Sequence, residues 1–207
     1  MSFSASDVKA LREKTGAGMM KCKEALKETN GDIDAAVDYL RKKGLAAAAK
    51  KASRVAAEGR IETLVEGGKG LILEVNCETD FVARTDDFMA LMKDISMHIA
   101  AMNPRFVARD EVTDDVIAKE KEIFKAQAKE SGKPDNVIDK IVDGKIDKFY
   151  SDVCLLEQSF VKNPDQTVGD LVTEAVAKLG ENIKVCRFVR FKVGETTDTS
   201  DANEEAA

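Results

Sequence analysis

The hydrophobic pattern of this chain changes its period near Arg60. In residues 4–44 the apolar residues recur three and four positions apart, which is typical of helices that bury one face. In residues 61–77 they form two short runs on either side of Gly67-Gly68, a pattern that predicts a β-hairpin with a glycine turn. We therefore predict an α+β protein with a helical N-terminal module, a linker helix and a core domain built on an antiparallel sheet.

Three short helices are predicted in the N-terminal module, because residues with capping or helix-ending preferences divide it into three amphipathic parts. These residues are Ser4 with Asp7, Gly16, Gly18, Asn30-Gly31, Asp32 and, closing the third helix, Gly44. A bundle of this size has a thin core and lies near the lower limit for independent folding.

The linker, residues 45–57, is rich in alanine and favours a helix. Between Arg41 and Ala57 the chain has six basic residues and no acidic one. Two interpretations remain open. The run either contacts nucleic acid or the ribosome, or forms the solvated face of a connecting helix, which is the more common origin of such a run.

Further helices and strands are predicted after the hairpin. The helices cover residues 86–102, 113–130 and 135–150, and a last one is capped by Thr167 and Asp170. The strands cover residues 153–161 and 183–193. In the closing strand, the alternating residues Ile183, Val185, Val189 and Phe191 are expected to share one face.

These elements divide the chain into three expected parts. Residues 1–54 form the helical module and its linker, and residues 55–194 form the core domain, which also dimerises. Residues 195–207 are acidic and polar, and we expect this tail to be disordered.

An aromatic residue occupies the predicted strand-to-helix turn after the hairpin. Phe81 lies there in a polar segment that contains Glu78, Asp80 and Arg84. Burying such a ring is worth roughly 1.5–3 kcal/mol, so its exposure to water is unfavourable. Phe81 therefore either folds back into its own core, which is the common fate of a phenylalanine, or binds an apolar site on another protein.

Charge and apolar content exclude several classes of protein. The net charge of −6 disfavours a protein that binds nucleic-acid phosphates. No apolar run approaches the roughly 20 residues that span a bilayer. The N-terminal residues have neither the basic nor the apolar part of a secretory signal. We therefore expect a cytoplasmic protein that binds neither a membrane nor nucleic acid directly.

Catalytic and metal-binding patterns are weak in this sequence. His98 is the only histidine, and it is more simply a packed helix residue than a base. The cysteines Cys22, Cys77, Cys154 and Cys186 lie far apart, which argues against a zinc site and suggests reduced thiols. We expect that the protein is not an enzyme and that it binds neither a metal ion nor a cofactor. The catalytic alternative that survives is a small hydrolase using Cys77 or Cys154 with His98.

Two long segments resemble the signatures of one protein family. Residues 11–26, LREKTGAGMMKCKEAL, and residues 70–83, GLILEVNCETDFVA, are similar to the two signatures of bacterial elongation factor Ts. Shorter matches lie at residues 97–101, 131–134 and 188–195, so the resemblance covers nearly the whole chain up to its acidic tail. It implies a guanine-nucleotide exchange factor for elongation factor Tu, a GTPase of translation and protein biosynthesis.

The resemblance also implies a fold and a site. The N-terminal module is expected to be ubiquitin-associated-like. Thr79, Asp80, Phe81 and Val82 are expected to bind the partner GTPase and displace its Mg²⁺, which favours the partner-facing interpretation of Phe81. Met19 and Met20, at the start of the second helix, are expected to dock the N-terminal module on the partner.

The implied partners are elongation factor Tu, in its GDP-bound and nucleotide-free forms, and a second copy of the chain. Longer family members carry two similar core subdomains, a helical-hairpin insertion and a C-terminal helical module. This chain has a single turn of the residue 79–82 type and strands for one core subdomain, so it resembles a short form that dimerises through its sheet. The alternative function is a non-catalytic adaptor that binds peptides or helices through the three-helix module.

Overall fold

A computed structural model gives the fold and describes residues 3–131 and 134–195. The predicted disordered tail, apart from Glu195, lies outside the described residues. The helices are α1 (Ala5–Thr15), α2 (Met19–Glu28), α3 (Ile33–Lys51), α4 (Asp80–Ala83), α5 (Asp86–Met102), α6 (Asp114–Glu130), α7 (Asp135–Val153) and α8 (Val168–Leu179). The strands are β1 (Glu58–Glu66), β2 (Lys69–Cys77), β3 (Ser159–Phe160), β4 (Asn163–Thr167) and β5 (Lys184–Lys192). The predicted α+β class with an N-terminal helical module is confirmed.

The N-terminal helices follow their predicted caps. The Ser4 hydroxyl accepts a hydrogen bond from the Asp7 N–H, and Gly16 ends α1 in the left-handed region with a φ of 64°. The Asp32 carboxylate caps α3 by accepting from the Ala35 N–H at 2.9 Å. The three helices enclose a small core of their own, made of Val8, Leu11, Cys22, Ala25, Leu26 and Ala36.

The third helix does not end at Gly44, contrary to the sequence prediction. It continues to Lys51, so α3 and most of the predicted linker are one helix. The reason is tertiary packing. A Cβ atom at Gly44 would lie 3.3 Å from the Cβ atom of Ala177 in α8. Gly44 therefore lets α3 approach α8 closely instead of ending the helix.

The main sheet is antiparallel and has the order β1-β2-β5. Gly67 and Gly68 join β1 to β2 with φ values of 55° and 78°, as a two-residue hairpin turn requires. One face of the central strand β2 buries Leu71, Leu73 and Val75 in the main core, to which α5 and α8 also contribute. The predicted hairpin and closing strand are both present.

A β-bulge at Cys186 changes which side of β5 faces the core. Val185 pairs with Val75 and Arg187 with Glu74, so Cys186 is an extra residue in the register. Because side chains alternate along a strand, the extra residue moves Val189 and Phe191 to the face opposite Val185. The prediction that these residues share one face is therefore wrong. Val185 is buried, whereas Val189 and Phe191 are 49% and 58% exposed.

The outer face of this sheet is apolar and exposed in the single chain. Its exposed apolar side chains are Ile61, Val65, Ile72, Val189, Phe191 and Val193. They belong to adjacent cross-strand rows, because Ile72 pairs with Val189 and Gly70 with Phe191. An ion pair between Glu74 and Arg187 at 2.7 Å bounds the apolar area at one end. The sheet thus has one packed face and one uncovered face.

Helices α6 and α7 pack together as a hairpin with a separate core of Ala128, Ile138, Val142 and Ile146. The sequence predicted both helices, over residues 113–130 and 135–150, and the structure confirms them. Arg109 fastens the hairpin to the core domain, because its guanidinium pairs with Asp147 and Glu157. The same group lies 4.4 Å from the ring centroid of Tyr150.

The strand predicted over residues 153–161 is mostly absent. The Cys154 N–H still donates to the Tyr150 carbonyl at 2.8 Å, so α7 runs into this segment. A 3₁₀ turn at Leu155–Glu157 follows, and only Ser159–Phe160 forms a strand. The apolar residues of this segment reach the core from a helix end and a tight turn. Their spacing resembles that of a strand, which explains the wrong prediction.

Candidate partner-binding site

The turn after β2 is the single helical turn α4, capped by Thr79. The Thr79 hydroxyl accepts a hydrogen bond from the Val82 N–H at 3.4 Å, and the Thr79 carbonyl accepts from the Ala83 N–H at 3.3 Å. Asp80 forms an ion pair with Arg84 at 2.8 Å on the surface of this turn. Ala83 is buried. The turn is therefore anchored at its end, while Phe81 in its middle faces solvent.

Phe81 is 78% exposed on this turn. The next residue, Val82, packs in part against the main core. The interpretation in which Phe81 folds back into its own core is therefore wrong. A large aromatic side chain held in water on an ordered turn is well suited to fill an apolar pocket on a partner, because burial of such rings dominates many interfaces.

A residue that sequence reasoning missed braces this turn. Glu181 lies between α8 and β5, and its carboxylate accepts hydrogen bonds from the N–H groups of Glu78 and Thr79 and from the Thr79 hydroxyl. In return, the Glu78 carboxylate accepts from the Asn182 N–H at 2.7 Å. The two segments are about a hundred residues apart in the chain, so no local pattern signals the contact.

The predicted docking residues of the N-terminal module are also accessible. Met19 and Met20 begin α2 and are 58% and 76% exposed. The Lys178 side chain lies 3.6 Å from the position of a Cβ atom at Gly16, and its Nζ pairs with Asp87 at 2.7 Å. Lys178 therefore connects the α1–α2 loop with the start of α5. The start of α2 also lies near the C-terminal end of α8, because the Lys21 ammonium donates to the Ala177 carbonyl.

A cleft of about 530 Å³ lies between α3 and α8. Arg41 pairs with Asp170 beside it at 3.1 Å, and the Lys21 ammonium donates to the Ala177 carbonyl at 2.9 Å. These contacts join the N-terminal module to the core domain. We therefore interpret the cleft as the seam between the two parts.

His98 is buried and fully hydrogen-bonded. Its Nε2 atom lies 2.9 Å from the Gln158 side-chain oxygen, and its Nδ1 atom accepts from the Val161 N–H at 3.2 Å. Accepting at Nδ1 assigns the proton to Nε2, so the ring is neutral. Burial lowers the pKa of His98. His98 is thus a packed helix residue rather than a general base.

The candidate nucleophilic thiols are not activated either. Burial raises the pKa of Cys77 and raises that of Cys154 to about 11. Both groups therefore remain protonated near neutral pH, whereas a cysteine nucleophile acts as the thiolate. These protonation states, together with the hydrogen bonds of His98, argue against the small-hydrolase alternative.

Residues 3–131 and 134–195 contain neither a metal-binding cluster nor a membrane-spanning helix. In this part of the chain, no group of His, Cys, Asp and Glu side chains is arranged to hold a metal ion. Within the same residues, no helix has the length and apolar character needed to cross a membrane.

A three-helix module with exposed methionines is joined by the long helix α3 to an α+β core, and the core presents one aromatic residue on a braced turn. This architecture is typical of a protein that binds a partner through more than one exposed apolar surface.

Comparison with known proteins identifies the family. A family model described as elongation factor TS matches residues 89–195. The elongation factor Ts of Heliobacterium modesticaldum is 61% identical over 194 residues, which cover 93% of this chain and 90% of that protein. The elongation factor Ts of Geobacter metallireducens is 56% identical over 212 residues, which cover 100% and 98%. This chain belongs to the elongation factor Ts family, whose function is nucleotide exchange on elongation factor Tu. The adaptor alternative is not supported.

Proposed function

We propose that this chain binds elongation factor Tu and accelerates the release of its GDP, so that GTP can bind, and that residues 79–82 are the acting part. Nucleotide exchange is the function of the family to which the chain belongs. One observation carries the assignment of the residues: Phe81 is 78% exposed on an ordered and capped turn.

The mechanism needs no contact with the nucleotide. A factor that binds the nucleotide-free GTPase more tightly than its GDP-bound form weakens GDP binding by the same factor. A ~10⁴-fold effect corresponds to about 5.5 kcal/mol of differential affinity. The exchange factor therefore has to fit a GTPase conformation in which the nucleotide site is distorted.

The four turn residues have separable roles in this proposal. Phe81 enters an apolar crevice of the GTPase, and Asp80, held by Arg84 at 2.8 Å, sets the angle of approach. Thr79 caps the turn and Val82 anchors it in the main core. Loss of Mg²⁺ follows indirectly, because the wedge moves the GTPase loops that hold the ion.

Met19 and Met20 supply a second contact. Methionine side chains are flexible and polarisable, so they adapt to apolar grooves. Docking through this pair holds the core domain close to the GTPase and raises its effective concentration there. The N-terminal module thus contributes affinity, whereas the Phe81 turn contributes exchange.

The test is release of labelled GDP from elongation factor Tu in the presence of Phe81→Ala. Burial of a phenylalanine side chain is worth roughly 1.5–3 kcal/mol. We therefore expect the stimulated rate to fall roughly ten- to hundredfold. The melting temperature should stay nearly unchanged because Phe81 is exposed.

Phe88→Ala is the matched control, because Phe88 is completely buried in the main core. That substitution should destabilise the fold by about 3–5 kcal/mol. A large drop in melting temperature for Phe81→Ala, or an unchanged rate of GDP release, would contradict the proposed role of Phe81.

The protein is further proposed to act as a homodimer through the outer face of its sheet. Six large apolar side chains are exposed on this face, and burial of such side chains is the main favourable term in association. A two-fold axis would bring the same face of each copy together. The two sheets would then form a sandwich with an apolar interior.

We also propose a cytoplasmic protein that contacts neither a membrane nor nucleic acid directly. The net charge of −6 is unfavourable for both surfaces. The basic run that begins at Arg41 is partly neutralised within the chain, through the pairs Arg41–Asp170, Lys43–Glu24 and Arg54–Glu78. These pairs support the interpretation of the run as a solvated helix face.

A further inference from the structure

The turn that carries Phe81 is held by a side chain that is distant from it in the sequence. The Oε2 atom of Glu181 accepts hydrogen bonds from the N–H groups of Glu78 at 3.1 Å and Thr79 at 3.0 Å. Its Oε1 atom accepts from the Thr79 hydroxyl at 2.7 Å. One carboxylate therefore satisfies three donors at the junction of β2 and α4.

This contact also fixes the cap of α4. A threonine hydroxyl has one proton to donate and two lone pairs with which to accept. Because the Thr79 hydroxyl donates its proton to Glu181, its lone pairs are directed elsewhere, and one accepts from the Val82 N–H. Hydrogen bonds to an ionised acceptor are stronger than neutral ones. Glu181 thus contacts the Thr79 hydroxyl in the position from which it caps the turn.

The bracing is reciprocal and reaches the linker. Glu78 accepts from the Asn182 N–H at 2.7 Å, so the segments at 78–79 and 181–182 each donate to the other. The Asn182 side chain donates to the Arg54 carbonyl at 2.8 Å, which ties the linker to the same loop. The two side chains therefore have different partners: the Glu181 carboxylate contacts the turn, and the Asn182 amide contacts the linker.

We propose that Glu181 is a positioning residue that fixes the orientation of Phe81 for nucleotide exchange. This inference rests on the proposed function. Without the carboxylate, the two N–H groups and the Thr79 hydroxyl lose their common acceptor, and the turn is free to move about the end of β2. In a complex already docked through Met19 and Met20, the turn then has to be ordered before Phe81 can act, and this ordering cost slows exchange even at saturation.

The first experiment measures release of labelled GDP at saturating concentrations of the protein. Glu181→Ala should lower this saturating rate about tenfold, which corresponds to about 1.4 kcal/mol. Glu181→Gln should restore most of it, because the amide oxygen can accept from the two N–H groups while the amide NH₂ donates to the Thr79 hydroxyl. Asn182→Ala should leave the saturating rate unchanged, because its side chain serves the linker.

The second experiment observes the turn without the GTPase. The chain has no tryptophan, so Phe81→Trp introduces a single indole that can be excited selectively over the two tyrosines. The fluorescence anisotropy of this reporter should fall when Glu181→Ala is added and should recover with Glu181→Gln. If Glu181→Ala fails to fold, Glu181→Asp replaces it, because the shorter side chain keeps the charge but withdraws the acceptor.

The outcomes separate this inference from the proposed function. A folded Glu181→Ala protein with the wild-type saturating rate and an unchanged anisotropy would overturn the positioning role, even where Phe81→Ala abolishes exchange. Full exchange by Phe81→Ala would instead overturn the proposed action of residues 79–82, and with it the exchange part of this inference, while leaving the chain an exchange factor. The anisotropy would then decide alone whether Glu181 orders the turn.

Discussion

Gly44 in α3 lies against Ala177 in α8, so closely that a Cβ atom at Gly44 would be 3.3 Å from the Ala177 Cβ atom. The contact sets how near the N-terminal module can approach the core domain. Beside it, Arg41 pairs with Asp170, although exposed pairs of this kind contribute only about 0–1 kcal/mol. Close packing at Gly44 is therefore the stronger determinant of the seam.

We expect Gly44→Leu to separate α3 from α8. Even a methyl group at this position would require a small shift of the neighbouring helix, and a branched side chain needs much more room. Trypsin should then cleave faster near Lys50, Lys51 and Arg54, at the end of α3. Gly44→Ala is the control. Its gain in helix propensity, about 1 kcal/mol, should largely offset the tight contact. Cleavage of Gly44→Leu at the wild-type rate would show that the seam does not depend on Gly44.

The buried His98 should make stability depend on pH. Its pKa in the folded protein is lowered by burial below the ordinary value of 6.5, so the unfolded chain binds a proton first as the pH falls. The stabilising contribution of neutral His98 is complete above pH 6.5. It is lost progressively as the pH falls from 6.5 through the lowered pKa.

Denaturant unfolding between pH 8 and pH 5.5 measures this effect. The free energy of unfolding should decrease toward the acidic end. His98→Gln removes the titrating ring while keeping polar atoms near Gln158 and the Val161 N–H, and it should flatten the curve over this range. An equal slope in both proteins would assign the pH dependence to other groups.

A fragment that starts near Val55 tests the proposed division at residue 54. Val55 is 81% exposed, and the main sheet begins only at Glu58. The fragment should fold and should exchange nucleotide at high concentration, with weaker apparent affinity because Met19 and Met20 are gone. Some loss of stability is expected, because Ala48 packs against the main core. Circular dichroism of an unfolded fragment would reject this boundary.

The proposed homodimer is tested by charge on the outer face of the sheet. Light scattering of the wild-type protein should give twice the chain mass of 22.6 kDa. Phe191→Glu should give monomers, because a charge buried without a partner opposes association. Ile123→Glu, at an apolar site of similar exposure on α6, should stay dimeric. A wild-type monomer that is fully active in exchange would refute the dimer.

The bulge changes which residue of β5 is suitable for this test. Phe188 is also apolar and lies on the same strand, but it packs partly against the main core. A charge at Phe188 should therefore lower the melting temperature. A charge at Phe191 should change only the mass of the assembly measured by light scattering, from dimer to monomer.

Local signals in the sequence were sufficient for much of the fold. Ser4 with Asp7 and Thr167 with Asp170 form the predicted capping boxes, and Gly67-Gly68 form the predicted hairpin turn. Each of these features depends on contacts within a few residues. The exposed position of Phe81 was not decided locally, because the polar turn left burial and exposure open and only the resemblance to the family favoured exposure.

Features that depend on distant contacts could not be predicted in this way. Gly44 has the identity of a helix end, but its packing partner Ala177 lies in α8. The extra residue Cys186 is visible only once β5 is paired with β2. Glu181 is an ordinary acidic residue until the fold brings Thr79 to it. Sequence periodicity indicates which residues are apolar. Strand register and the distance between packed helices depend on contacts that form only in the folded structure.

The braced turn has a consequence for the kinetics of encounter. Because α4 is already capped and held in the free protein, collision with the GTPase does not have to wait for this segment to find its bound shape. Association of preorganised surfaces proceeds at about 10⁵–10⁷ M⁻¹s⁻¹ and is limited by diffusion and orientation. The turnover of successive GTPase molecules should then be limited by the rate at which each one dissociates from the exchange factor.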